Sequence, residues 1–453
     1  MISVFLISLA QQLFLILVGL SLLQLVSYQN RLPVVSNLPY AWGIGVVFLY
    51  ISGFILVRFE LAPQSWHWIV LISGSIVVLF AGYFYFKSER MKMPAWQWQL
   101  KWYDWVLIGL ILIKLALVLY CNLVNPVVDS DACNNYRHIG LAKYIAMGYP
   151  LSETMAYKGS QSTMLSPPIL YSWSNMFQDR WHDSVATIAC FFAYLSIIGV
   201  AFISAFKTSS KITPALILAY IISAIPLLNI HVIRTGYADI LVSLFFVMGT
   251  AVLALTLNKI ENINKSHLFL LSVSFIGAAM TKMEGTMWVL LLVFFFIGVY
   301  AHNKIHIPWN KILLVQTVLI AGGFILYFIS ADWILGNVDM SVRLSWLFQK
   351  KYDPESFNMF FGFMYTWGVF GLFWGLLSIL SVILLITGKS IESKVSILYT
   401  VFLLVALFYF ANFTGNIHLT LNGTNVGRFL LQICMIFILV YTAFIKEIPR
   451  VKP

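Results

Sequence analysis

Charge is what this sequence has least of. Of its 453 residues, 28 are lysine or arginine and 17 are aspartate or glutamate, 10% in all, while 60% are hydrophobic. Soluble domains carry about a quarter charged and half apolar residues, so a water-exposed globular fold is excluded. Cysteine is scarce as well, at four residues. Cys121, Cys190 and Cys434 lie in or beside apolar runs, where a thiol packs as a small hydrophobe. Cys133 has no CxxC partner, which leaves neither a zinc motif nor a disulfide framework. No GxxxxGK stretch occurs, so the phosphate cradle of an ATP-driven pump is missing.

What the chain does have is apolar runs along its whole length, many long enough to cross a bilayer as helix. The expected architecture is an all-α polytopic membrane protein with about 13 transmembrane helices. The first run, residues 4–26, lacks a basic leader and a small-residue cleavage site, and is expected to be a retained helix. Runs at 4–26, 40–57 and 66–86 hold almost no ionisable residues, and a basic stretch follows them. Residues 1–100 are therefore expected to form an N-terminal accessory bundle. Residues 101–453 form the main transmembrane domain, with a large outer loop at 126–184.

The formal net charge of +11 suggests nucleic acid until its placement is considered. Lys87, Arg90, Lys92 and Lys101 share one loop, and pairs such as Lys207 with Lys211 and Lys259 with Lys265 flank later ones. Short loops rich in Lys and Arg mark the cytoplasmic side, so the charge reports topology and no nucleic-acid partner is expected. Loops of mixed sign, and with them the sequons at Asn412 and Asn422, are assigned outside.

Three polar clusters fall on that outer side. The first is DSDACNNYRH, residues 129–138. One reading is a helix N-cap in a solvated loop; the other is a carboxylate base at the membrane face, where burial and a helix end tune its ionisation. Behind it Tyr136, Ile139, Ala142, Lys143 and Ala146 recur at helical spacing, a short amphipathic helix ended by Gly148 and Pro150. The stretch TMLSPPILYSW, 163–173, then holds a proline pair expected to fix an extended approach to the next helix.

The second cluster is HVIRTGYADI, 231–240, with His231, Arg234 and Asp239. The third is TKMEG, 281–285, a tight turn in which Lys282 and Glu284 either pair with each other or face a polar cavity. Each has an alternative as a local interfacial ion pair, but ionisable groups near membrane depth default to function. His302 and His306 have metal-ligand spacing without a nearby acid, and read as a solvated face.

In order, the acidic loop, the helix ending in MGYPL, SPP, GYADI and TKMEG resemble polytopic glycosyltransferases of the C fold (GT-C). The resemblance is strongest to bacterial relatives of the protein O-mannosyltransferases and lipid A aminoarabinose transferases. It covers residues 105 onward, and the three preceding helices depart from the family's pattern. The resemblance implies transfer of a sugar from a polyprenyl-phosphate carrier to a glycan, lipid or protein acceptor at the outer face of a bacterial inner membrane. It implies Asp131 as the base on the acceptor hydroxyl, with Asp129 on the acceptor or a metal. The departing phosphate needs cations, and Arg234, Lys282 and Arg428 fit. Asp239 and Glu284 would orient those cations or bind sugar hydroxyls, and Tyr136, Arg137, His138 and His231 complete the substrate-binding set. No cofactor or metal is assigned, although paired acids could hold a divalent ion.

Two rivals stand beside this reading. A polymerase or ligase using diphosphate-linked glycans would want several outer-loop cations, as at Arg343, Lys350 and Lys351. A transporter or flippase would show repeated broken helices and charges at mid-bilayer depth.

Overall fold

The computed structural model describes residues 2–27, 34–61, 65–87, 100–124, 138–149, 165–233, 237–258, 264–308, 311, 315, 318, 353–388, 390–412 and 426–447. Among these the chain is helical throughout, with no strand. Seven helices are long and apolar enough to cross a membrane, or eight if one bent pair is a single span. Shorter apolar helices follow at Lys265–Thr281, Met287–His302, Phe373–Thr387 and Ser393–Tyr409. Backbone hydrogen bonds stay within each helix, which is the condition for burying a polypeptide in hydrocarbon.

The first four spans are α1 (Ile2–Val26), α2 (Val34–Arg58), α3 (Trp66–Lys87) and α4 (Trp102–Val124). Helix α1 lies along α2 at contact distance because glycines face backbone. A Cβ on Gly19 would fall on the Ala41 carbonyl, and one on Gly45 on the Leu15 carbonyl. Close approach over small residues replaces the hydrophobic drive that lipid removes.

The loop helix α5 (Gly140–Ala146) buries Leu141, Ala142 and Ile145 and packs on α6 (Ser166–Asn175). Gly148 ends it with a positive φ of 75°. The SPP stretch differs from expectation. Pro167 and Pro168 do not hold an extended approach; they occupy the first turn of α6. Proline costs nothing there, because those N–H groups have no partner within the helix and the ring presets φ.

Helices α1 and α2 are seated against the body of the chain. Ser8 Oγ donates to the Ser174 carbonyl at 2.7 Å, and Gln11 Nε2 donates to the carbonyls of Trp173 and Met176 at 2.6 and 2.7 Å. Gln12 bonds Ser174 Oγ at 3.0 Å and accepts from Trp42 Nε1 at 2.9 Å. These side chains are all buried, so they hold helices together as polar contacts within an apolar medium. The expected boundary at residue 100 adjoins residues 88–99, outside the described residues.

After the short α7 (Asp183–Ala186), α8 (Ile188–Ser209) leads into α9 (Ile212–Ser223) and α10 (Pro226–Ile233), which are bent by 61°. Pro226 cannot continue the hydrogen-bond ladder, and Tyr194 OH takes up the Ser223 carbonyl at 2.8 Å. At the centre is α11 (Asp239–Asn258), almost wholly buried against α8, α12 (Lys265–Thr281) and α13 (Met283–Ile305). Beyond them come α14 (Pro354–Tyr365), α15 (Trp367–Phe370), α16 (Phe373–Thr387), α17 (Ile391–Asn412), α18 (Val426–Ile433) and, after one turn of 3₁₀ helix, α19 (Phe437–Glu447). Asn412 is buried at the end of α17, where its Nδ2 donates to the Phe408 carbonyl at 2.9 Å. The rest of that sequon, and Asn422, lie outside the described residues.

Candidate functional site

One end of the bundle is basic. There Tyr441 OH meets the Pro214 carbonyl at 3.1 Å, and Glu447 Oε1 accepts from Ser390 N and Ser393 Oγ at 3.0 and 2.8 Å. Lys207 and His267 interact electrostatically at the same end, which also carries Lys211, Lys265 and Lys446. Following the chain from this end through α9–α10, α12 and back along α19 leads to the opposite end, where the second and third polar clusters meet.

At that opposite end Asp239 opens α11, fully buried. Lys282 Nζ reaches its Oδ1 at 2.8 Å and Arg428 Nε reaches its Oδ2 at 2.9 Å. Gln432 Nε2 also donates to Oδ1, at 2.6 Å, and Gln432 Oε1 in turn accepts from Trp288 Nε1 at 2.8 Å. The carboxylate is thus held by three donors, two of them cationic, and a buried ion needs such partners to stay charged.

Local structure explains the convergence. Lys282 is one extended residue (φ −160°, ψ 148°) between α12 and α13, and from that break its side chain reaches Asp239. Arg428 and Gln432 are four apart on α18 and share a face. Trp288 sits on α13 and Asp239 in the first turn of α11. Three helix N-termini therefore gather here, each with outward-pointing N–H groups and positive dipole. Asp239 answers one of them; the neighbouring starts of α13 and α18 add their field to that of the two cations.

No family model, curated protein or solved structure matches this chain. The site must therefore be read from its own chemistry.

The cations are not sealed in. Side chains of Lys282 and Arg428 keep 18% and 25% of their exposure, whereas Asp239 keeps none. Lys282 gives Asp239 one of its three ammonium protons, leaving two to point elsewhere. Arg428 stacks over the ring of Tyr237 at 4.7 Å, which fixes the plane of its guanidinium. The Tyr237 ring in turn lies 5.3 Å from that of His231, a buried residue on α10.

Asp239, Lys282, Arg428 and His231 are thus brought into one neighbourhood, from segments far apart in sequence. Glu284 stands half-buried in the first turn of α13, and among the described residues Lys282 pairs with Asp239 and not with Glu284. His138 is half-buried at the start of the loop helix. Asp129, Asp131, Tyr136, Arg137 and Arg234 lie outside the described residues. So do Arg343, Lys350 and Lys351.

Gln432, Trp288 and Tyr237 are partners that the sequence reading passed over, as is Lys114. That lysine stands halfway along α4, with no hydrogen bond or ion pair to a described residue. A lone charge in an apolar run is a visible signal, and so is a glutamine one turn beyond an arginine. His302 Nδ1 contacts the Ile307 carbonyl at 3.0 Å, and His306 closes α13 in the left-handed conformation. Among the described residues no group of three or more His, Cys, Asp or Glu is placed to hold a metal ion.

Proposed function

We propose that this chain is a membrane glycosyltransferase of the GT-C type, with about 13 spans, that moves a sugar from a polyprenyl-phosphate carrier to an acceptor hydroxyl. The observation that supports it most is the pair of partly exposed cations, Lys282 and Arg428, held by one buried carboxylate where three helices begin. Such a place attracts an anion and is already organised to receive it. A lipid carrier must reach the site from the bilayer while its acceptor arrives from water, and the end of a helical bundle is open to both.

In this reading Asp239 is an organiser and not a base, since its oxygens are occupied by three donors. The base is Asp131, with Asp129 on the acceptor. As the acceptor oxygen bonds to the anomeric carbon, its proton passes to the carboxylate. The bond from that carbon to the phosphate oxygen breaks with inversion, and its electron pair leaves with the phosphate. A positioned base contributes about 10²–10⁴-fold. Lys282 faces the developing charge as a point donor, and Arg428 offers a planar one. The site would open to the periplasm or exterior of a bacterial inner membrane, with the basic end in the cytoplasm.

The test is sugar transfer from a panel of polyprenyl-phosphate sugars by the purified protein, with Asp131→Asn and Asp129→Asn beside it. Turnover of one donor, abolished by Asp131→Asn with donor binding intact, supports the reading. If no monophosphate donor is bound or consumed, it falls.

A second reading, a transporter or flippase of lipid-linked sugars, has two observations in its favour. The α9–α10 span is broken by 61°, and Lys114 sits in the middle of α4. It predicts movement of labelled carrier lipid across sealed vesicles without chemical change to the sugar.

A further inference from the structure

The cation site carries one positive charge in excess among the described residues: Lys282 and Arg428 supply two, and Asp239 removes one. That sum matches a phosphate with a single charge. The phosphodiester that joins a sugar to a carrier lipid is such a group, because its phosphorus bears one ionisable oxygen. The monoester left after transfer is not. It has a second ionisable oxygen, titrating at about pH 6, and so brings one more negative charge to the same place.

Beside the site stands a group able to answer that added charge. His231 on α10 is 4% exposed, and its Nδ1 has no hydrogen-bond partner among the described residues. Its ring lies 5.3 Å from that of Tyr237, and the guanidinium of Arg428 covers the same Tyr237 ring at 4.7 Å. His231 interacts electrostatically with Asp239, Arg428 and Lys282 at once, the carboxylate drawing a proton to it and the cations opposing one. The other helices packed on α10 are α4, α8 and α15. Helix α15 has no titratable residue, and α8 presents Tyr194, whose hydroxyl is taken by the Ser223 carbonyl, and Cys190, which meets Tyr171. Helix α4 meets α10 through Asn122, which donates to the Val232 carbonyl at 2.6 Å, with Lys114 about two turns further along it.

Resting on the transferase reading above, we propose that His231 takes up a proton from solution when a phosphate monoester occupies the Lys282–Arg428 site, and none when the occupant is the sugar-bearing diester. The cations hold both forms of the carrier, and the imidazole balances the charge that only the bare one brings. A negative charge placed beside an imidazole favours its protonated form. The monoester complex then holds one proton more than its separate parts, so its affinity falls about tenfold for each unit by which pH rises. Affinity for the diester is flat over the same range.

The experiment titrates two probes, polyprenyl phosphate and polyprenyl-phosphate glucose, into the full chain in lipid nanodiscs at about pH 8, where a free monoester is already doubly charged. Calorimetry in buffers of differing ionisation heat counts the protons taken up. The expected result is about one proton for the bare phosphate lipid and about none for the glucose lipid. His231→Gln keeps a hydrogen-bonding side chain that does not titrate, and His231→Phe keeps a ring against Tyr237. Either should abolish the uptake and flatten the pH dependence of the bare lipid. Binding of the bare lipid to the unaltered protein without proton uptake overturns the proposal with no variant needed, and leaves the phosphate reading standing. Uptake that persists in the variants overturns it too, because the proton then sits on the phosphate or on another group. Equal uptake with both lipids does the same, since the charge of the occupant is then not what drives it. If the unaltered protein binds neither lipid, this proposal and the transferase reading fall together.

Discussion

Gln432 donates its amide hydrogen to Oδ1 of Asp239 at 2.6 Å, one turn along the helix from the arginine that holds Oδ2 of the same carboxylate. The glutamine is fully buried and its other end is taken by Trp288 at 2.8 Å. Replacing it by methionine keeps the volume but strands the indole N–H and removes a neutral donor from the carboxylate. Gln432→Met is expected to destabilise the protein by about 2–4 kcal/mol. Unfolding in mixed micelles reads this directly, and a change within error would remove Gln432 from the network.

Asp239→Asn takes away the only carboxylate bonded to Lys282 among the described residues, and loosens Arg428. Breaking a buried ion pair from one side costs about 3–5 kcal/mol because a charge is left behind. The double variant Asp239→Asn, Lys282→Met should recover part of that loss, since the stranded ammonium goes with it. Strict additivity in the double-mutant cycle would show that the 2.8 Å contact is not an energetic coupling.

Lys282 has the more direct tie to chemistry. Under the transferase reading, Lys282→Met should lower turnover by about 10²–10³-fold, the range for losing one donor to a developing anion. Lys282→Arg keeps a cation and should retain measurable transfer. Equal loss in both variants would point to packing at the α12–α13 break, not to charge.

The lysine on α4 gives a prediction of opposite sign. A lysine at the centre of a membrane helix costs about 2.5–3.5 kcal/mol on insertion scales, and among the described residues Lys114 has no ion-pair partner to offset it. Lys114→Leu should raise the thermal midpoint. Should it also abolish lipid movement across sealed vesicles, the transport reading gains what the transferase reading loses.

Helix packing offers a control remote from the site. Gly45→Val places a side chain on the Leu15 carbonyl, and Gly19→Val one on that of Ala41. Both should split α1 from α2 and reduce the yield of folded protein. Gly82→Val, facing open space, should not.

Much of this was legible in the sequence, for reasons that can be named. Runs almost free of charge at 4–26, 40–57 and 66–86 located α1, α2 and α3, with only the start of α2 off by more than two residues, because hydrocarbon admits little except helix. TKMEG was readable as a turn, since a lysine and a glycine interrupt two apolar runs. What was not legible was pairing. Lys282 has an acid two positions away and another 43 positions away, and it takes the distant one. Local spacing cannot weigh a tertiary contact that depends on where α11 begins. The proline pair misled for a related reason: proline disfavours helix in the residue before it, yet starts one well when it falls in the first turn. Gln11 and Gln12 look like blemishes in an apolar run until Trp173 and Ser174 are placed beside them.

That last contact also bears on how the protein is made. Gln11 and the carbonyl it bonds are 162 residues apart in the chain. At about 5–20 residues per second, the ribosome needs roughly 8 to 32 seconds to deliver the second after the first. For that interval Ser8 and Gln11 wait for their partners on α6, while Gln12 has already been met from α2 by Trp42. Helix α1 therefore settles late, after the helix that answers it has been made.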